Sequence, residues 1–222
     1  LPAHNIVTQG NVLLDEKVTG SIPMEVSLSG DEEVFKTPEA IEKIDQISVM
    51  LKKIYEFRSV SGISGLVREV NRSLTGKDEV PKDAASISQY LCLLEGDPNS
   101  GLSRIVNDDY SKTRMIVTSP DEGCYGFIKL KKLVQPRINE ILRGSGITGN
   151  LTGATMVASS GIQNLVSELL SSLLLALVFI GIAVFIAFRS FKMVLVSLLP
   201  NVLPLLFSLA WFGASGQFLD IA

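Results

Sequence analysis

The sequence has one histidine and two cysteines among its 222 residues. A single histidine, His4, leaves no material for a histidine-based metal site or a catalytic triad. Two cysteines are too few for a disulfide scaffold. No Gly-rich loop ends in the Lys-Ser/Thr of a phosphate cradle: GSGITG at 144–149 lacks that ending and reads as a turn entering a strand. Charge is scarcest in the last 54 residues, where 169–222 carry only Arg189, Lys192 and Asp220 of the chain's 20 basic and 23 acidic groups. The net charge of −3 and the 46% hydrophobic content therefore average over two unlike segments. This distribution excludes an ordinary soluble enzyme. It also excludes a disordered chain, which could not be this apolar, and a nucleic-acid binder, which needs a basic face. No catalytic residue, cofactor or metal ligand is expected.

What is present is a polar domain followed by a membrane segment. Residues 169–188 read LLSSLLLALVFIGIAVFIAF, twenty positions without a charge. As a helix that run spans about 30 Å, the thickness of a bilayer's hydrocarbon core. A second uncharged run, 193–213, follows the four residues 189–192. Two membrane helices are expected. Arg189 and Lys192 in the tight turn place it on the cytoplasmic side, because short Lys/Arg-rich loops stay inside. Residues 1–168 and the tail from 214 then lie outside. A domain of that size needs an export signal, yet the chain opens LPAHNIVTQG without a basic and apolar leader. A fragment of a longer polytopic protein is expected.

Within the second run, LPNVLPL at 199–205 is the informative passage. Pro200 and Pro204 each remove a backbone donor, and Asn201 puts an amide in hydrocarbon. Such breaks persist where neighbouring groups satisfy the freed carbonyls. The passage is either a packing kink or a hinge in a moving helix bundle. Asp220 falls at the outer interface, past Gly216 and Gln217, and is not read as a proton carrier.

The outer domain reads as strands and helices in alternation. Residues 23–29 alternate as a half-buried strand. A helix then starts with Thr37 as N-cap, Pro38 at N1 and Glu39 in the first turn, and keeps Ile41, Ile44, Ile47, Leu51 and Ile54 on one face. Residues 57–63 form a second strand. Shorter helical patterns at 66–74 and 87–94 flank the turn KDEVPKD. The order then repeats: a strand at 112–118, a helix at 126–142 with Phe127, Leu130, Val134, Ile138 and Ile141, and a strand at 146–152. Pro136 requires that helix to kink or to start late. Strand–helix–strand appearing twice predicts a ferredoxin-like, split βαβ α+β domain over 1–153. Residues 154–168 have helical spacing and are expected to run straight into the first membrane helix, coupling the domain to the bilayer.

The remaining chemistry is sparse. Cys92 and Cys124 form either an extracytoplasmic disulfide or two buried free thiols. Asn71-Arg72-Ser73 and Asn150-Leu151-Thr152 are glycosylation sequons that matter only in a eukaryotic secretory setting. Asp108-Asp109 and Asp31-Glu32-Glu33 read as solvated turns.

These pieces together resemble the RND superfamily of exporters in its MMPL, or hydrophobe-exporter, branch. RSFKMVLVSLLPNVLPLLFSLAWFGASGQFLDIA at 189–222 is similar to that family's FRS-x-K … PN-x-x-P … G-x-x-L-D-I-A passage. The outer segments TPEAIEKI, FRSVSGISGLVREVN, ISQYLCLLEG and NDDYSKTR, and the Thr-Gly before the membrane, extend the resemblance over nearly the whole chain. The resemblance implies a proton-driven, multi-pass transporter of the bacterial inner membrane with residues 1–168 as a periplasmic porter domain. Its partners would be membrane lipids, a hydrophobic or lipid-like substrate, the remaining helices of the same transporter and further copies of itself. The layout is closer to the second half of such a protein than to the first. Pro200, Asn201 and Pro204 match motif positions as structural elements, and the proton-relay carboxylates fall on the following helix. A sterol-sensing-domain lipid receptor or transfer protein related to Patched shares the fold, but such proteins carry many disulfides. A membrane-anchored sensor would need a cytoplasmic signalling segment, whereas the second run returns outward within four residues. A SecD/SecF-type accessory subunit shares the fold without a matching signature.

Overall fold

The computed structural model describes residues 20–54, 57–121 and 123–215, with the side chains of Asn201, Leu205, Leu209 and 212–215 outside the description. His4, Gly216, Gln217 and Asp220 lie outside the described residues. The chain divides into two compact units, Leu1–Ile162 and Gln163–Ala222.

The first unit is an α+β fold built on a four-stranded antiparallel sheet. Strands β1 (Ile22–Ser29), β2 (Ser59–Ser61), β3 (Lys112–Ser119) and β4 (Thr148–Thr152) stand in the order β2-β3-β1-β4. Alternation decides which face is buried. Met24, Val26 and Leu28 of β1 point to one side together with Met115 and Val117 of β3 and Leu151 of β4, all fully buried. Helices α1 (Pro38–Lys52), α2 (Ile63–Thr75), α3 (Ala84–Gly96) and α4 (Gly123–Ile141) complete that core with Ile41, Ile44, Ile47, Val67, Ile87, Leu130, Val134 and Ile138.

The helix starts follow capping chemistry. The Thr37 hydroxyl accepts from the Ala40 amide at 3.3 Å, with Pro38 at the position where a missing N–H costs nothing. Asp83 accepts from the Ser86 amide at 2.8 Å and opens α3. The Ser86 hydroxyl first, and its amide second, favour the charged form and hold the Asp83 carboxyl below the usual range. α1 ends at Lys52, earlier than its apolar spacing suggests, but a closing turn still buries Ile54.

Three further differences from the sequence reading have a physical cause. β2 is three residues rather than seven. Among the described residues it is an edge strand paired only to β3, and extended Gly62 already serves as N-cap for α2, so Ile63 is buried as a helical residue. α4 starts before Pro136 and passes through it, so a late start is excluded. Pro136 and Lys132, whose carbonyl loses its donor, are both on the exposed side where water can serve. The last strand begins at Thr148, after positive-φ Gly144 and Gly146 have made the turn.

Edge strand β4 is shielded by one side chain. Gln135 of α4 donates from Nε2 to the Gly149 carbonyl at 2.6 Å and accepts the Leu151 amide at 2.9 Å, as a neighbouring strand would. Lys43 of α1 donates to the Ile141 carbonyl at 2.8 Å and caps the C-terminus of α4.

The second unit takes up most of α5 (Ala154–Phe188) and all of α6 (Phe191–Ser215). α5 is 35 residues long, so its axis spans about 52 Å. It is long and apolar enough to cross a membrane: its most apolar 18-residue window has a mean hydropathy of 2.9 and none of that window is buried. α6 is bent by 43° between Phe191–Pro200 and Val202–Ser208, at the expected proline break. Among the described residues α5 is the one unbroken helix of spanning length, and the two bent parts of α6 together are long and apolar enough for a second, broken span.

Candidate functional site

The residues singled out in the sequence gather at the turn between the two long helices and at the bend of α6. The turn is built by backbone conformation first. Arg189 sits in the left-handed region at φ 51° and donates its amide to the Phe185 carbonyl at 2.7 Å, closing the last turn of α5. A non-glycine residue there costs about 1–2 kcal/mol. Its cationic side chain, next to the carbonyl end of α5, offsets part of that cost. The Ser190 carbonyl accepts the Val194 amide, which begins α6. Phe185 and Phe191 pack edge-to-face across the turn, ring centres 5.3 Å apart. Arg189 and Lys192 are both exposed. Further along, a Cβ added at Gly181 would lie 3.6 Å from Val194 and 3.7 Å from Leu198, an ordinary packing distance that glycine leaves open.

The bend has three causes, two of which the sequence displayed. Pro200 cannot donate to the Val196 carbonyl, and Pro204 cannot donate to that of Pro200. The third is Ser208, whose hydroxyl donates to the Pro204 carbonyl at 2.7 Å. Such a bond back along the helix loosens the ladder and bends it. Asn201 lies in the helix between the prolines, and its side chain is outside the description. Beside the bend, Leu203, Pro204, Phe207, Ser208 and Trp211 line an open depression of about 590 Å³. Ser208 and Trp211 were not read from the sequence. Their signal was the spacing of four and seven residues from Pro204, which puts them on its face.

In the first unit, the polar residues noted in the sequence hold loops together. Asn71 is buried, and its amide donates to the carbonyls of Lys77 at 3.2 Å and Glu79 at 2.8 Å while accepting from the Tyr90 hydroxyl at 3.0 Å. The first sequon is thus a structural asparagine that staples the α2–α3 turn, and its amide nitrogen is not accessible. Asn150 of the second sequon is exposed on β4. Cys92 and Cys124 are free thiols, as the second reading of that pair had them, but neither is buried. Asp109 accepts from the amide and hydroxyl of Ser111 at 3.0 and 2.7 Å, a turn geometry that lowers its pKa. Glu33 pairs with Lys36 at 2.9 Å in solvent. Tyr110 is buried with its hydroxyl donating to Glu95 at 2.6 Å. Burial first, and that bond second, push the phenol above its ordinary pKa. Asp45 and Arg68 form an ion pair linking α1 to α2. Among the described residues, no three His, Cys, Asp or Glu side chains could hold a metal ion.

No family model matches the chain, and no curated protein matches it.

Proposed function

We propose that the chain is one section of a proton-motive-force-driven, RND-type transporter of the MMPL branch, which exports lipid-like or hydrophobic substrates from the bacterial inner membrane. The observation that carries this reading is the direct passage from sheet to membrane-length helix. β4 ends at Thr152, Gly153 turns the chain, and α5 runs unbroken from Ala154 to Phe188. On this reading the porter domain is joined to its membrane helix by one continuous helix. The order β2-β3-β1-β4, with one helix joining β1 to β2 and another joining β3 to β4, supports a ferredoxin-like, split βαβ plan in which α2 and α3 are an insertion. On this reading α5 and α6 form a hairpin in the inner membrane. Its Arg189–Lys192 turn is cytoplasmic, and residues 1–168 are periplasmic. The bend at Pro200 and Pro204 is then a hinge, and its freed carbonyls are satisfied by the other helices of the transporter. The partners are membrane lipids, the hydrophobic substrate, those helices and further copies of the protein.

The sequence downstream of residue 222 in the gene tests this reading. A next helix with an intramembrane Asp or Glu agrees with proton coupling. A helix without one, or a kinase-like domain, contradicts it. In cells expressing the whole gene, efflux of a fluorescent hydrophobic probe should stop when a protonophore collapses the gradient. Efflux indifferent to the protonophore sinks the proposal.

A further inference from the structure

The face of the sheet turned away from the helices carries a second pattern. The strand register lays Asn150, Ser27 and Arg114 side by side across β4, β1 and β3, and Thr148, Ser29 and Lys112 in the next row. Small polar side chains thus floor a face that rises at one edge to two cations. Beside that edge, the 102–106 segment continues the sheet: the Arg114 amide donates to the Ile105 carbonyl at 2.8 Å, and Val106 bridges to Thr113. Between this segment and the sheet is an open cleft of about 350 Å³ whose lining includes Ser27, Ser103, Arg104, Lys112 and Arg114.

The charges in this cleft do not cancel. Glu25 is its one carboxylate and pairs with Arg114 Nη1 at 3.2 Å. Arg114 Nε is held by the Arg104 carbonyl at 2.7 Å, which orients the guanidinium along the sheet. The Arg104 guanidinium and the Lys112 ammonium have no protein partner among the described residues, and the hydroxyls of Ser27 and Ser103 are equally uncommitted. Three cations against one anion, with two free hydroxyl donors on a rigid floor, form a concave surface of net positive charge in a unit whose overall charge is negative. Arginine and lysine converging on one small space favour an anion with several acceptor oxygens.

We propose that this cleft binds a phosphoryl group, held by Arg104 and Lys112 with Arg114 and the two serine hydroxyls completing the contacts. The geometry lies wholly within the first unit, so the inference stands independently of the transporter reading. The ligand is either free phosphate or a phosphate-bearing lipid headgroup, and the two share the chemistry that the cleft recognises.

The test uses the full chain in a non-ionic maltoside detergent, free of phosphate. Inorganic phosphate and dihexanoyl phosphatidic acid below its micellar concentration are titrated separately by calorimetry. Saturable binding of one equivalent is expected, weakened about tenfold or more in Arg104→Gln and in Lys112→Gln, each removing one charge-assisted contact. Lys82→Gln, an exposed lysine elsewhere in the unit, should leave it unchanged. Binding of both probes identifies the phosphoryl group alone as the ligand. Binding of the lipid only identifies a headgroup with its acyl chains. Absence of binding by both, or equal affinity in the Arg104 and Lys112 variants and the parent, overturns the proposal. Unchanged thermal melting of the variants separates lost binding from lost fold.

Discussion

The two units are folded by opposite uses of the same residues. In the first, isoleucine, leucine and valine at strand and helix spacing turn inward, and Met24, Ile44, Val67, Val117 and Ile138 are fully buried. In the second, the same residue types turn outward, and Leu174, Phe179, Ile186, Leu195 and Phe207 are largely exposed. A soluble protein rarely leaves so large a contiguous apolar surface bare. The difference teaches that hydrophobicity alone does not say what a side chain packs against. Periodicity does: the first unit alternates between faces, whereas residues 173–188 of α5 are apolar all round.

The sharpest contrast comes from one pair of truncations. Ile44→Ala, in the closed core, should destabilise the first unit by about 2–5 kcal/mol. Leu174→Ala, on the exposed surface of α5, should change detergent-state stability by less than about 0.5 kcal/mol. Denaturation of the full chain in detergent, followed by circular dichroism, measures both. Equal effects would erase the distinction between the two units. Next in size is Gly153→Ala at the joint where the sheet hands over to α5. Gly153 has φ 118°, and an added Cβ would lie 3.2 Å from the Glu25 amide nitrogen. That backbone conformation is costly for any other residue, so the loss should approach about 3 kcal/mol. A neutral Gly153→Ala in the same melt would show that the joint is loose. Asn71→Ala should cost about 2 kcal/mol, because it removes the staple of the α2–α3 turn and leaves the buried Tyr90 hydroxyl without its acceptor. Retention of parental stability would return the residue to its reading as a chance sequon.

The smallest expected effect is on pH dependence. The folded-state pKa of Tyr110 is raised, so the neutral phenol is favoured by folding. Its contribution is fully present below the unfolded value, about 10, and is lost as pH rises past it. Tyr110→Phe should therefore flatten the fall in stability above pH 10 relative to the parent. Identical slopes in the two proteins would contradict the assignment.

Much of the first unit was legible because its signals are local. Thr37-Pro38-Glu39 starts a helix wherever it occurs, and PMEVSLS and KTRMIVT alternate plainly. What local pattern could not supply was register. The polar half of each strand, Ser27, Ser29, Arg114 and Asn150, looked like ordinary solvent-facing residues until pairing brought them into rows. β2 was overread for the same reason: its length is set by the few residues β3 pairs with, and Gly62 ends it from the helix side. Asn71 was noticed only as a sequon, since its partners at Lys77, Glu79 and Tyr90 are defined by the α2–α3 turn. In the second unit, the prolines announced an irregular helix. That break is where α6 bends, and the helical spacing of 154–168 indicates the helix that runs unbroken through Gly161 as α5. An isolated glycine is tolerated in a long helix, whereas Pro200 and Pro204, reinforced by Ser208, remove two successive donors from one face.

Sidedness is the claim on which the transporter reading depends, and the molecule carries its own probe. Cys92 is exposed on α3, and Ser190 lies in the turn between α5 and α6. Spheroplasts expressing the protein can be treated with a membrane-impermeant maleimide before and after permeabilisation. The account predicts that Cys92 reacts in intact spheroplasts. It also predicts that Ser190→Cys, in a chain with Cys92 and Cys124 changed to serine, reacts only once the membrane is opened. Labelling of Ser190→Cys in intact spheroplasts, or protection of Cys92 until permeabilisation, would contradict it.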